Sequence, residues 1–224
     1  MTAFFMQKIK PSKKFFENIN MYKQMHIEGY NKIDGGYINR DKSFNGMSTI
    51  PYAPIIKKII DKNKINNLLD YGCGKAEFYD NKYNIDNIEY PSFRNFWNID
   101  IDLYDPSYSK FGKLDQNKTY DMVISIDVLE HIAIEDIDYV LEQICNLSKK
   151  YIFLNVGCYS AAALLPNGEN AHITIQEPEW WNDKILGIIK NRKNLKVICN
   201  CTIVKDGKLK VFPLEFNDKI KYYI

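Results

Sequence analysis

Residues 68–75 read LLDYGCGK, and this short segment is the strongest indication of the fold class. An apolar run over residues 65–70 ends at Asp70, and the turn from Gly72 to Gly74 follows at once. A strand that delivers a glycine turn at its carboxyl end is typical of an open α/β sheet, where ligands bind beside such turns. Glycine tolerates backbone angles and close approaches that a Cβ atom forbids, so we expect a ligand to lie against this turn.

Outward from this turn, helical periodicities and apolar runs alternate along the chain. Helical spacing of apolar residues predicts helices near residues 11–27, 54–62, 134–148 and 178–193. Short apolar runs predict strands at residues 65–70, 97–104, 122–126 and 151–156. Two final runs, 195–204 and 209–216, meet at Asp206-Gly207, which is a hairpin signal. The order predicts an α/β fold with a mostly parallel sheet and a C-terminal antiparallel hairpin.

The composition is that of an ordinary globular protein, with 46% hydrophobic and 26% charged residues in 224. We expect one domain, in which residues 1–50 form an N-terminal helical cap and residues 51–224 form the core. The apolar patch near the N-terminus is too short for a signal peptide, and no apolar run has transmembrane length. A cytoplasmic location without membrane association is therefore predicted. The net charge of +2, without a basic block, does not favour nucleic acid as a partner.

The cysteines are scattered, and the one close pair lies in a predicted strand, where alternate residues face opposite sides. Reduced structural thiols are expected rather than disulfides or a zinc site. The five positions are Cys73, Cys145, Cys158, Cys199 and Cys201.

The glycine turn does not match a dinucleotide fingerprint, which requires a third glycine three residues after the second. Glu77 stands at that position, where a pyrophosphate would meet a negative charge. A ligand that carries an amino group fits the turn better than one that carries phosphate.

Taken together, three segments in this order resemble the class I (Rossmann-like) S-adenosylmethionine-dependent methyltransferases. LLDYGCGK at 68–75 resembles their motif I, and YDPS at 104–107 resembles the end of their second strand. YDMVISIDVLEHI at 120–132 is similar to their fourth strand and the segment after it, and NGENAHITIQEPEWW at 167–181 is similar to a loop found in one subgroup. The interval between Asp105 and Tyr120 is too short for the usual third strand, so we expect that strand to be reduced or missing.

The resemblance implies S-adenosylmethionine as the cofactor and assigns its contacts. The glycine turn would face the methionine end, Asp105 would accept hydrogen bonds from the ribose hydroxyls, and Asp127 would lie between cofactor and acceptor. With the third strand reduced, the adenine pocket would be open or closed by the N-terminal cap. The implied cofactor-binding residues are Asp70, Tyr71, Gly72, Cys73, Gly74, Asp105 and Asp127.

The three histidines are candidates for the chemistry, because an oxygen acceptor must lose a proton during methyl transfer. His172, in a polar loop, is the first candidate for a base, with His131 and Asp127 as further catalytic residues. His131 could instead make a structural hydrogen bond near a helix start, and His26 could lie on the surface of the cap. A divalent metal could be held by His131, His172 and either Glu130 or Asp127.

Two further segments have a functional and a structural interpretation. Trp180 and Trp181 could wall the substrate pocket, although adjacent helical positions diverge and one of them should pack in the core. The segment from Phe44 to Ser48 could close over the cofactor or simply connect two elements.

The function predicted first is O-methylation of a small polar acceptor, a sugar or a nucleotide-linked sugar of surface-polysaccharide assembly. N-methylation of a small amine is the alternative, with Asp127 and Glu130 as an acidic rim. A third hypothesis is a non-catalytic cofactor-binding partner of another enzyme. The expected partner is a small molecule, and a homodimer is left open.

Overall fold

The computed structural model describes residues 10–217. The first nine residues of the predicted cap, with their apolar patch, and the last seven residues of the predicted core lie outside this range. Within residues 10–217, no helix combines the length and the apolar character needed to cross a bilayer.

A six-stranded mixed sheet forms the centre of the fold. Its strands are β3 (Asn67–Tyr71), β6 (Asp100–Tyr104), β7 (Tyr120–Ile126), β8 (Ser148–Gly157), β9 (Lys196–Lys205) and β10 (Lys208–Phe216). Across the sheet they lie in the order β10-β9-β8-β7-β3-β6. Neighbouring strands from β6 to β9 in this order run parallel, and β10 pairs antiparallel with β9 at one edge. The predicted α/β class, the mostly parallel sheet and the C-terminal hairpin are confirmed.

Helices cover both faces of the sheet, because alternate side chains of each buried strand point to opposite sides. The helices are α2 (Ala53–Asn63), α3 (Phe93–Trp97), α4 (Ile137–Leu147) and α5 (Pro178–Ile189). Leu68 and Met122 pack with α2 and α3 on one face, whereas Leu69 and Val123 pack with α4 and α5 on the other.

The N-terminal segment begins with α1 (Lys13–Glu28) and continues as a small hairpin of β1 (Gly29–Asn31) and β2 (Tyr37–Asn39). Ser12 caps α1, since its hydroxyl accepts the Phe15 amide at 3.2 Å. The amide and hydroxyl of Ser12 also donate to the buried carboxylate of Asp136, at 2.6 and 2.7 Å. These bonds fix the start of α1 to the segment that leads into α4.

The sheet ends at β6 in the part of the chain that the structure describes, so the third strand of the family is missing as expected. The connection from β6 to β7 contains one short 3-10 turn, Ser109–Phe111, and no strand. Among the described residues, no further strand of the sheet therefore lies beside β6 at the carboxyl edge.

Two local predictions were wrong. The strand expected from Trp97 begins only at Asp100, because Trp97 ends α3 and stacks on Phe93 with ring centroids 4.9 Å apart. Residues 76–96 are aromatic and rich in Asn, which predicts an irregular or partly helical segment; besides a 3-10 turn and the start of α3, they contain an unexpected hairpin of β4 (Tyr83–Ile85) and β5 (Ile88–Tyr90).

Candidate functional site

A cavity of about 510 Å³ opens at the carboxyl ends of β3, β6 and β7. The glycine turn after β3 and the turn after β6 form part of its wall, and α1 and residues 42–49 form another. Its volume lies within the range of small-molecule sites, and its place is where open α/β sheets bind ligands.

Both glycines of the turn have positive φ, 91° at Gly72 and 58° at Gly74. The space of an added Cβ is already filled by protein: a Cβ on Gly72 would clash with Val128 Cγ2, and a Cβ on Gly74 would clash with the Phe44 carbonyl oxygen. Close protein packing therefore requires these glycines, while their backbone still borders the cavity. This differs from the expectation that a ligand occupies the space beside them.

The segment from Phe44 to Ser48 closes over the glycine turn. The carbonyl of Phe44 accepts the Lys75 amide at 2.7 Å, and that of Asn45 accepts the Glu77 amide at 3.0 Å. Because all five residues of the segment line the cavity, they form part of the site and are more than a connection.

Asp70 lies behind the cavity wall and does not reach the cavity. Its carboxylate is buried and accepts a hydrogen bond from the Tyr79 hydroxyl at 2.7 Å. Burial raises the pKa of Asp70 to about 7. Asp70 was expected to contact the cofactor, whereas the structure places it behind the wall, bonded to Tyr79. Tyr71 and Cys73, expected to contact the cofactor as well, line the cavity.

Asp105 lines the cavity directly after β6, and its carboxylate already holds the neighbouring turns together. Oδ2 accepts the Gly74 amide at 2.9 Å, and Oδ1 accepts both the amide and the hydroxyl of Ser107. Each carboxylate oxygen has two acceptor positions, so Oδ2 retains one for a ligand hydroxyl. Asp105 was expected to accept hydrogen bonds from the ribose hydroxyls, and Oδ2 has one free acceptor position for such a bond.

Asp127 follows β7 in a left-handed conformation, with φ of 61°, which is uncommon for a residue with a side chain. Its amide donates to the Asn155 carbonyl at 3.1 Å, and its Oδ2 accepts the Ser48 hydroxyl at 2.7 Å. These bonds turn the carboxylate toward the cavity, where strained residues of this kind often serve function.

His131 lies in a 3-10 turn, Leu129–His131, and its imidazole borders the cavity. The Nδ1 atom is 2.9 Å from the Ala171 carbonyl oxygen and 2.7 Å from the Tyr22 hydroxyl. A carbonyl oxygen only accepts, so we assign the proton to Nδ1, which leaves a lone pair on Nε2.

His172 repeats this arrangement from the loop after β8. Its Nδ1 contacts the Tyr159 carbonyl oxygen, which assigns the proton to Nδ1 and the lone pair to Nε2. The side chain is buried beside His131, with ring centroids 4.7 Å apart. Burial, with His131 nearby, lowers the pKa of His172 to about 4.

Asp127, His131 and His172 converge, with one potential ligand atom from each within 4.8 Å of the others. Glu130, the other carboxylate expected at a metal, is fully buried, and its Oε1 accepts the Gly157 amide. Burial and the nearby Asp127 raise its pKa well above the usual value. Glu130 was expected to bind a metal or to form part of an acidic rim, whereas the structure places it behind the site as a buried acid.

The two tryptophans of α5 do not wall this cavity within the described range. Trp181 is fully buried in the core on the α4 side, and Trp180 packs against the same core beneath Lys184. The expectation that one tryptophan packs in the core is confirmed, and the pocket interpretation is wrong.

The sequence alone does not assign Tyr22, Ser48 or His26 firmly to the site, but all three line the cavity. Tyr22 and His26 lie four residues apart on α1, so they share a helix face, and this spacing with Asn18 was the available signal. Nothing in the sequence indicates that Ser48 binds Asp127, because 79 residues separate them.

The charge of the lining favours a cationic ligand. Of the described lining residues, Asp105 and Asp127 carry carboxylates, and Lys42 supplies the one lysine or arginine side chain.

A family model described as a methyltransferase domain matches residues 48–183, more than half of the chain. The chain belongs to the class I S-adenosylmethionine-dependent methyltransferases. Searches of curated proteins and of solved structures gave no match.

The cavity of this methyltransferase suits the cofactor that its family implies. S-adenosylmethionine carries a sulfonium and an ammonium group, which the carboxylates of Asp105 and Asp127 complement. The free acceptor position on Asp105 Oδ2 is available to a polar ligand.

Proposed function

We propose that the chain transfers a methyl group from S-adenosylmethionine to a hydroxyl group of a small polar acceptor, with a sugar as the first choice. The convergence of Asp127, His131 and His172 on the cavity carries this proposal. Each imidazole has its Nδ1 bound to a backbone carbonyl, which leaves Nε2 with a lone pair. A fixed, neutral imidazole is a group that can accept the proton of a hydroxyl.

In the proposed step, the acceptor oxygen bonds to the methyl carbon as the carbon–sulfur bond breaks, and the bonding electron pair stays on sulfur. The hydroxyl proton passes to Nε2 of His172, which is neutral at pH 7 because burial lowers its pKa to about 4. The cofactor supplies an activated methyl group, so the protein mainly has to align the acceptor and exclude water. Asp127 and His131 serve this alignment beside His172.

The charge of the lining bears on the acceptor class. A free sugar brings hydroxyls and no charge, whereas a nucleotide-linked sugar brings a diphosphate toward Asp105 and Asp127, with Lys42 as its counterion. Like charges in a cavity repel, which supports the free sugar of the two acceptors expected from the sequence. Since Glu130 is buried, one carboxylate fewer faces an amine, which weakens the N-methylation alternative.

We place the reaction in the cytoplasm, where the described free cysteines stay reduced.

A divalent metal held by Asp127, His131 and His172 is a second form of the same proposal. Two imidazoles and a carboxylate are a common metal-binding set, and metal-bound histidines usually donate their other ring N–H to a carbonyl or carboxylate. Both histidines have this second bond. A cation there would increase the acidity of the acceptor hydroxyl.

Incubation with methyl-labelled cofactor and a panel of sugars, sugar nucleotides, small amines and RNA tests the proposal. We expect label on a sugar oxygen. His172→Ala should lower turnover by about 100-fold or more, the usual contribution of a proton-accepting group, and should leave the affinity for S-adenosylhomocysteine unchanged. Asn167→Ala, an exposed position in the same loop, is the matched control and should retain full turnover.

Each other outcome of this experiment has a definite meaning. Loss of turnover in a chelator, restored by one divalent cation, supports the metal form, and indifference to chelators supports His172 acting alone. Label on nitrogen alone would establish the amine alternative. Cofactor binding without transfer to any acceptor would favour the non-catalytic hypothesis, and full turnover by His172→Ala would contradict the assignment.

A further inference from the structure

The hydroxyl of Tyr22, in the middle of α1, contacts both segments that carry the candidate histidines. It donates to the Ala171 carbonyl oxygen at 3.2 Å and lies 2.7 Å from Nδ1 of His131. The same Nδ1 lies 2.9 Å from the Ala171 oxygen, so the three atoms form a closed triangle. Ala171 directly precedes His172 and is 40 residues from His131 along the chain. One side chain of the N-terminal segment therefore joins two distant parts of the site.

The hydrogen atoms available in this triangle determine the state of His131. A carbonyl oxygen only accepts hydrogen bonds, and the single hydrogen of the Tyr22 hydroxyl is donated to it. A lone pair on Nδ1 would face the Ala171 oxygen at 2.9 Å with no hydrogen between them, so Nδ1 carries the proton. That proton lies between two acceptors, the Ala171 oxygen and the Tyr22 oxygen, in a three-centre bond. The lone pair of the imidazole is therefore on Nε2.

Tyr22 holds the His131 imidazole itself, whereas other bonds between the same segments hold only their backbones. The amide of Thr174 donates to the Glu130 carbonyl at 3.0 Å, and its hydroxyl donates to the Ile132 carbonyl at 2.6 Å. These two bonds involve neither imidazole. The Tyr22 ring packs edge-on against the His131 ring, with centroids 5.5 Å apart and planes at 78°. Both the ring and the hydroxyl of Tyr22 therefore restrict how the imidazole can turn.

The helix that carries Tyr22 is a fixed support, because it is held at two further places. Ser12 at its start donates to the Asp136 carboxylate from both its amide and its hydroxyl. The Phe15 ring packs edge-on against Tyr139, with centroids 5.5 Å apart. Asp136 and Tyr139 belong to the beginning of α4, shortly after the 3-10 turn of His131. The support and the residue that it holds are thus joined to the same part of the fold.

We propose that Tyr22 is a positioning residue whose hydroxyl keeps the imidazoles of His131 and His172 together beside Asp127, with the His131 lone pair on Nε2. This inference rests on the proposed function for the reaction that the histidines serve. It applies to both forms of that proposal, because a histidine that accepts a proton and one that binds a metal both need a fixed Nε2 lone pair. It gives α1 a part in the reaction itself.

The variant Tyr22→Phe keeps the ring against His131 and removes only the hydroxyl. We expect kcat for methyl transfer to fall about tenfold, the effect of one hydrogen bond, while the affinity for S-adenosylhomocysteine measured by calorimetry stays the same. Thr174→Val is the matched control, since it removes one hydroxyl bond between the same segments that involves no imidazole. It should lose as much stability toward urea as Tyr22→Phe and retain most of its kcat.

Nuclear magnetic resonance of the chain with ¹⁵N-labelled histidine provides a measurement that needs no turnover. The unaltered chain should show a slowly exchanging Nδ1–H signal of His131, which His131→Asn removes and thereby assigns. In Tyr22→Phe this signal should shift and exchange with solvent about tenfold faster, because the proton has lost one of its two acceptors. Thr174→Val should leave the signal unchanged.

Full turnover by Tyr22→Phe, or an unchanged His131 signal in that variant, would overturn the inference and leave the proposed function standing. The same holds for an equal fall of kcat in Tyr22→Phe and Thr174→Val, or for a loss of cofactor affinity in place of kcat. If Tyr22→Phe does not fold, the spectrum of the unaltered chain decides, and a His131 proton on Nε2 overturns the inference. An unaltered chain that methylates no acceptor would overturn the proposed function and this inference together.

Discussion

Two aspartates at the ends of neighbouring strands show how strongly residue environment determines role. Asp70 and Asp105 both follow apolar strand residues, and the sequence assigns both to the cofactor. Asp70 is held by Tyr79 behind the wall, whereas Asp105 lies in the wall and links Gly74 to Ser107. Both stand at the ends of apolar runs, which places both near the carboxyl edge of the sheet, but the position of Tyr79, which decides between them, depends on tertiary packing.

The raised pKa of Asp70 gives a prediction on stability. Below about pH 4 the carboxyl is protonated in both the folded and the unfolded chain. As pH rises from 4 to 7 the unfolded chain releases this proton and the folded chain retains it, so the free energy of unfolding falls. Asp70→Asn keeps an acceptor for Tyr79 and has no proton to lose, so it should be more stable than the unaltered chain at pH 8, by roughly 2–4 kcal/mol, and not at pH 4.

Urea denaturation at both pH values measures this difference, with the exposed Asp61→Asn as the control. A stability difference that is the same at pH 4 and pH 8 would show that the Asp70 carboxyl is not held protonated in the folded chain.

The candidate metal ligands show a second case in which the sequence does not determine the role of a residue, namely which carboxylate lies beside the histidines. Asp127 and His131 lie four residues apart, a spacing that brings side chains together if the segment coils, and the two do lie together in the structure. It could not separate Asp127 from Glu130 as the carboxylate, because the segment forms a 3-10 turn in place of a helix and directs Glu130 toward Gly157.

At the scale of elements, the sequence predicts long strands that are joined by a recognisable turn and misses short ones. The C-terminal hairpin was predicted because Asp206-Gly207 joins two long strands, and both residues have the positive φ of such turns. The hairpin of β4 and β5 was missed because strands of three residues show no periodicity, although its turn residues Asp86 and Asn87 also have positive φ. Short elements are identified by packing, which a single sequence does not display.

The anchoring of α1 gives a prediction at this scale. Asp136→Ala removes the acceptor of both Ser12 bonds, so it should lower the free energy of unfolding by about 2 kcal/mol. Because α1 borders the cavity, the same change should weaken S-adenosylhomocysteine binding. Ser12→Thr retains the hydroxyl and should change neither property by much.

Chemical denaturation and calorimetry on these two variants check the prediction. Cofactor affinity that survives Asp136→Ala undiminished, in a variant that has lost stability, would mean that the position of α1 does not contribute to the site.

At the scale of the whole molecule, the chain combines a confirmed α/β core with an N-terminal segment that completes the site. The fold class, the missing third strand and the family were accessible from the motifs at strand ends, which local sequence encodes. The contribution of α1 was not, because Asn18, Tyr22 and His26 become cavity residues only when the helix folds across the carboxyl edge. A homodimer stays a prediction from the sequence.

A crystal structure of the chain with S-adenosylhomocysteine would show whether this cavity is the cofactor site. We predict that the ribose lies against Asp105 and that the sulfur faces Asp127, His131 and His172. A ligand bound outside this cavity, or one whose sulfur faces away from these three residues, would contradict the account.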